Sequence, residues 1–180
     1  MKSVNLNSRL SMVGQTHQGL VRDYNEDYIA DNARVGIAVL ADGMDGLNAG
    51  EVASSTAVHL LMEELISCRL GGSSLPAELD PSDSYMPMDS RVVQKVVQMA
   101  NKAVFHTSQT LTECKGMGTT ILANLFYNNN LSVAHIGDSR IYRFRDNASK
   151  QVTKDHSFVQ ELIDKGLLIR EEAWVSDKKR

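Results

Sequence analysis

The chain has 180 residues, 42% of them hydrophobic and 23% charged, with a formal net charge of -3. That length suits one domain with a real core, and the composition excludes the disordered and membrane classes. A mildly acidic chain also lacks the basic footprint of a nucleic-acid binder, which the short tail Lys178-Lys179-Arg180 does not reverse.

Two cysteines, Cys68 and Cys114, stand far apart and in no CxxC pattern, which argues against a zinc site or a disulfide framework and for a reduced, cytoplasmic setting. The first residues carry no apolar run resembling a signal peptide, and no later stretch reaches the ~18–20 apolar residues of a membrane span, so no membrane partner is expected.

In chain order, residues 11–16 read as a first strand, and a charge-dense loop follows, Arg22-Asp23-Tyr24-Asn25-Glu26-Asp27, before extended character resumes at 28–30. Residues 35–41 are apolar, partly β-branched and too short for a typical helix, so they read as a buried strand. Asp42 closes that strand in this reading, and Gly43 and Gly46 let the following loop turn its carbonyls toward a bound ion.

From Asn48, read as an N-cap with Glu51 three residues on, the period changes. Ala53, Ala57, Leu60, Leu61, Leu65 and Cys68 recur at helical spacing. Residues 71–89 hold all three prolines and read as a surface linker inside one domain, 1–180. Val93, Val96, Val97, Ala100 and Val104 mark a second amphipathic helix, capped near Asp89 and Ser90. Strands then return at 119–127 and 131–136, joined by an Asn-rich turn, and at 141–144, turned back at Asp146-Asn147; residues 158–166 read as a helix ended by Gly166. Grouped strands around two helices predict an α+β fold with mainly antiparallel sheets.

Three strand ends offer acids: Asp27, Asp42 and Asp138, with Glu26 and Arg22 close to the first. Gathered carboxylates raise one another's pKa unless a cation offsets the charge. Oxygen-only ligation favours Mg²⁺ or Mn²⁺ over zinc, and two such ions can activate a water toward phosphorus. Arg22 supplies a planar fork for phosphate oxygens. Plainer alternatives stand beside these: Arg22 could pair with Glu26 on a surface loop, and Asp138 could simply cap its turn. The histidines read as structural, His17 and His135 in strands and His59 and His106 in helices.

These residues resemble the metal-dependent type 2C (PPM) protein serine/threonine phosphatases in their bacterial form. Residues 22–27 resemble the RxxNED box, Ala41-Asp42-Gly43-Met44 with Gly50-Glu51-Val52-Ala53-Ser54 resembles ADGMGGHxxGExAS, and Gly116-Met117-Gly118-Thr119-Thr120 resembles GMGTT. Gly137-Asp138-Ser139-Arg140 and Asp155-His156-Ser157 complete the series. The resemblance implies a four-layer α-β-β-α sandwich and hydrolysis of phosphoserine and phosphothreonine on proteins, with a bacterial serine/threonine kinase as natural opponent. It implies that Arg22 binds substrate phosphate, Asp27 and the Gly43 carbonyl ligate metal, Asp42 bridges two Mn²⁺ or Mg²⁺ ions as the catalytic carboxylate, Asp138 serves a third ion, and Glu26 supports its neighbour.

Two departures accompany it. Asp45-Gly46-Leu47 stands where the family has Gly-Gly-His, and the family's late DG and DN aspartates have no counterpart before Arg180. The expectation is therefore a truncated or degenerate member, or part of a longer gene product, with a catalytically impaired module that binds a phosphoprotein as the alternative function. With late strands missing, the apolar residues Phe158, Leu162, Ile163, Leu167, Leu168 and Trp174 would be left uncovered, and the chain loosened after about Ser157 or associated through that surface.

Overall fold

The computed structural model describes residues 6, 8–44, 49–73, 75 and 79–166. The chain divides into two compact units, 1–135 and 136–180.

In the first unit, β1 (Asp27–Asn32) and β2 (Ile37–Met44) form an antiparallel hairpin in the register Asp27↔Asp42 to Asn32↔Ile37. Gly36 closes the turn at φ 78°, donating to the Asn32 carbonyl (2.9 Å). A Cβ on Gly36 would lie 2.7 Å from the Phe126 carbonyl oxygen, so both the positive φ and the close approach require glycine. β3 (Gly118–Thr119) and β4 (Ile121–Tyr127) both pair with β2, and β5 (Asn130–Ile136) completes the order β1-β2-β4-β5. Asn128 and Asn129, at φ 43° and 63°, make the β4–β5 turn the sequence predicts.

α1 (Gly50–Leu70) packs on β2, and α2 (Met88–Thr110) packs on α1 and β4. Ala53, Ala57, Leu61, Leu65 and Cys68 of α1 and Val93, Val96, Val97, Ala100 and Val104 of α2 are buried, as their spacing requires. They close over Ile37, Val39 and Ala41 of β2 and Ala123 and Leu125 of β4, on one face of the sheet. The alternate residues of β2, Leu40, Asp42 and Met44, are exposed.

In the second unit, β6 (Tyr142–Arg145) and β7 (Ala148–Gln151) form a hairpin whose turn again uses two left-handed polar residues, Asp146 (φ 50°) and Asn147 (φ 58°). α3 (Phe158–Asp164) is capped by Ser157, whose hydroxyl accepts from the Gln160 N–H (3.2 Å), and Gly166 follows it at φ 68°. The class is α+β with antiparallel sheets, as expected from sequence. Among the described residues no helix is long and apolar enough to cross a membrane.

Several sequence expectations need correction. Residues 11–16 form no strand, because only Met12 and Val13 are large apolar residues there and all but Met12 are exposed, leaving no face to bury; His17 likewise lies outside any strand. Asp42 does not end its strand: β2 runs on to Met44 because β1 and β3 pair with its last residues. α1 begins at Gly50 with Ala49 at the cap position and no side-chain cap, while Asn48 lies outside the described residues. α2 begins at Met88 after Pro87, whose ring removes a donor that a helix start leaves unused anyway. The linker carries a short 3-10 turn, Pro81–Asp83, and its Leu75 is buried in the core. Of the residues expected to be uncovered, Leu162 and Ile163 are half-buried on α3, only the main chain of Phe158 is described, and Leu167, Leu168 and Trp174 lie outside the described residues.

Freed from capping, Asp89 has another task. Arg69, only 8% exposed at the end of α1, donates from Nε to the Val35 carbonyl (3.3 Å) and from Nη1 to Asp89 Oδ1 (3.3 Å), joining the β1–β2 turn to the start of α2. Removing one partner of such a pair leaves a buried charge uncompensated. Asp89→Ala is expected to destabilise the protein by about 2–3 kcal/mol in urea unfolding, and Asp89→Asn by less, because the amide oxygen still accepts.

Candidate metal and phosphate site

The site begins with a backbone arrangement. The Gly43 N–H donates to the Glu26 carbonyl (3.1 Å), while the N–H and C=O of Asp42 face the other way, toward Thr120. Asp27 and Asp42 are therefore a non-hydrogen-bonded antiparallel pair, the closer kind, with Cα atoms ~4.5 Å apart and side chains on the same face. Two carboxylates so placed repel one another, and a hard cation between them removes that cost.

Glycine and serine make the close approach possible. A Cβ on Gly43 would sit 2.1 Å from the Gly50 carbonyl oxygen, and one on Gly50 would sit 2.6 Å from Glu26 Oε1. Neither position has room for a side chain, so the start of α1 lies directly against the end of β2. Ser54, fully buried on α1, donates its hydroxyl to the Glu26 carbonyl (2.6 Å). Asn25 accepts from the Asp27 N–H (3.1 Å) through its side-chain oxygen and so orders the entry into β1. These contacts give the glycine, serine and asparagine of the motifs a physical reason.

Arg22, two-thirds exposed, pairs with Glu26 (Nη1 to Oε2, 2.7 Å). The pairing raised as an alternative from sequence is thus present, on the residue that directly precedes Asp27. The first unit thus pairs Asp27 with Asp42 across β1 and β2, with Gly43 next to Asp42, and pairs Arg22 with Glu26.

Asp138 belongs to the second unit, exposed on the turn after β5 where Gly137 has φ 99°. That turn is strapped to the 151–156 segment. Arg140 grips Asp155 with both ends of its fork, Nε to Oδ1 (2.9 Å) and Nη2 to Oδ2 (2.6 Å), which holds the guanidinium's pKa well above its ordinary value. The His156 N–H donates to the Gly137 carbonyl (2.7 Å) and the Ile141 N–H to Thr153 Oγ1 (3.0 Å).

Among the described residues no three His, Cys, Asp or Glu side chains converge to hold a metal ion. The Asp27 and Asp42 carboxylates with the Gly43 carbonyl are an all-oxygen partial set, suited to Mg²⁺ or Mn²⁺ and unsuited to zinc, with water or phosphate oxygens left to complete the sphere. His59 plays a structural part: its Nδ1 donates to the Ser55 carbonyl (2.8 Å), which leaves Nε2 to accept from the Tyr28 hydroxyl (3.3 Å). Sequence reasoning named the motif but not the roles of Ser54 and Thr120. The signal was there, in small polar residues inside apolar runs, but a hydroxyl's main-chain partner is a tertiary fact. The Asp45 and Leu47 departures lie outside the described residues.

Residues 14–174 match the family model for protein phosphatase 2C. The serine/threonine protein phosphatase PstP of Mycobacterium tuberculosis is 38% identical over 164 residues, covering 91% of this chain and 28% of PstP. The serine/threonine phosphatase Stp of Listeria monocytogenes is 33% identical over 162 residues, covering 88% of this chain and 60% of Stp. The crystal structure of the PstP catalytic domain in complex with two manganese ions superposes with a TM-score of 0.69 at 36% identity, over 88% of this chain and 61% of that one. This chain thus spans about three-fifths of the length of Stp and of the solved catalytic domain. The match runs through both units and through every motif that builds the carboxylate pair: the chain belongs to the protein phosphatase 2C family.

Proposed function

We propose that this protein hydrolyses phosphoserine and phosphothreonine on proteins, using Mn²⁺ or Mg²⁺ held in part by Asp27, Asp42 and the Gly43 carbonyl. The carrying observation is the in-register Asp27–Asp42 pair, closed against α1 by two glycines that admit no Cβ. Bound there, such ions would lower the pKa of a water and neutralise charge on the phosphoryl oxygens. PstP, whose catalytic domain has been crystallised with two manganese ions, supports two ions here as well; Asp138, by the family resemblance, would serve a third.

The chain's own residues supply the rest. Asp42, near the end of β2, faces Asp27, and by the family resemblance is the carboxylate that would bridge two ions. Arg22 offers its fork to the substrate phosphate. Its exposed ion pair with Glu26 is worth ~0–1 kcal/mol, too little to prevent a doubly charged phosphate from sharing it. The substrates would be proteins phosphorylated by a bacterial serine/threonine kinase. A reducing, cytoplasmic setting fits two buried free cysteines, the thiol of Cys68 pushed up in pKa by burial.

Two measurements test this reading. With Mn²⁺ and a phosphothreonine peptide, Asp42→Ala is expected to cut kcat/KM by at least about a hundredfold, and EDTA to abolish turnover in the unmodified chain; equal rates for the two proteins would reject the assignment. Arg22→Ala is expected to lower kcat/KM about 10–100-fold, the loss of one or two charge-assisted bonds, and mainly through KM; Arg22→Lys should recover only part, since an ammonium cannot bind two oxygens side by side.

A further inference from the structure

The motif Gly116-Met117-Gly118-Thr119-Thr120 has no part in the chemistry so far, yet it meets Asp42 directly. β2 keeps one register along both neighbours on this side, Leu40↔Leu122 with β4 and Gly43↔Thr119 with β3, which sets Thr120 opposite Asp42. The Thr120 N–H donates to the Asp42 carbonyl (2.9 Å). In the other direction, a regular antiparallel ladder would send the Asp42 N–H to the Thr120 carbonyl, and here it donates to the Thr120 hydroxyl oxygen (3.0 Å). Thr119 adds a hydroxyl 3.1 Å from the Asp42 carbonyl. Thr120 stands between β3 and β4, where the regular ladder is interrupted.

Thr120 therefore holds both peptide planes flanking the Asp42 Cα, the second of which the Gly43 N–H also ties to the Glu26 carbonyl, and the direction of the Cα–Cβ bond follows from those planes. The carboxylate itself stands on the face of β2 opposite the helix-covered core. Thr120 is only 4% exposed, so the hydroxyl that accepts from Asp42 is withdrawn from solvent. We propose that Thr120 is a positioning residue, whose hydroxyl fixes the main chain of Asp42 and so aims its carboxylate at the ion it shares with Asp27. The role rests on the metal-dependent phosphatase reading above.

Thr120→Val keeps the branched shape and removes the acceptor, while Thr120→Ser keeps the hydroxyl. Calorimetric titration of each folded chain with Mn²⁺ is the test, alongside melting temperatures without metal. Thr120→Val is expected to raise the Mn²⁺ dissociation constant about tenfold or more, and Thr120→Ser to stay within about threefold of the unmodified chain, in keeping with the weight of groups that orient metal ligands. A fall in melting temperature with an unchanged dissociation constant in Thr120→Val would make the hydroxyl merely structural and overturn the proposal. Equal weakening by Val and Ser would overturn it too, since the hydroxyl would then not be the feature that matters. An unmodified chain that takes up no Mn²⁺ would instead reject the metal reading itself, and this role with it.

Discussion

The carbonyl of Glu26 is the junction on which the site depends. It accepts the Gly43 N–H from the end of β2 and the Ser54 hydroxyl from the first turns of α1, so one oxygen ties together the start of β1, the end of β2 and the covering helix. A carbonyl has two lone pairs, and both are used here. Asp27 follows Glu26 directly and Asp42 precedes Gly43, so the carboxylate pair inherits its spacing from that junction. A buried hydroxyl and an excluded Cβ at two glycines make the arrangement rigid without a single bulky side chain.

β2 divides its labour by parity. Ile37, Val39 and Ala41 lie in the helix-covered core, while Leu40, Asp42 and Met44 face outward, so the strand that anchors the fold also presents the acid. Stability and chemistry are thereby separated by one residue of register. A slip of one position would bury Asp42 and expose its apolar neighbours, a penalty large enough to hold the register firmly. The carboxylates are held close because burial of the opposite face stabilises the sheet that holds them.

Much of this was legible in sequence. Helical spacing located the buried faces of α1 and α2 because their apolar residues repeat over many turns, and the left-handed Asn and Asp turns announced themselves because few residues tolerate that backbone. The acids of the site stood out as charges interrupting apolar runs. What could not be read was pairing. Nothing local says that β2 continues through Asp42 to Met44, since that extension depends on residues far along the chain in β3. The segment 11–16 misled for the converse reason: it has some strand character but no partner face to bury. Asp89 showed the same limit, with a residue typical of helix caps serving an arginine twenty positions earlier.

The Arg22–Glu26 pair adds a last step. Glu26 carries the junction through its main chain and holds Arg22 through its side chain, so the proposed phosphate arm and the proposed metal ligands share one residue. The coupling is asymmetric. The main-chain bonds of Glu26 are partly buried and cannot be exchanged cheaply for water, whereas the Arg22 end of the ion pair is two-thirds exposed and exchanges partners at less cost. An arm that must meet incoming phosphoproteins of varied sequence gains from that looseness, while the acids that hold a small ion gain from the rigidity beneath it. Both properties come from the same residue because one uses the backbone and the other the side chain.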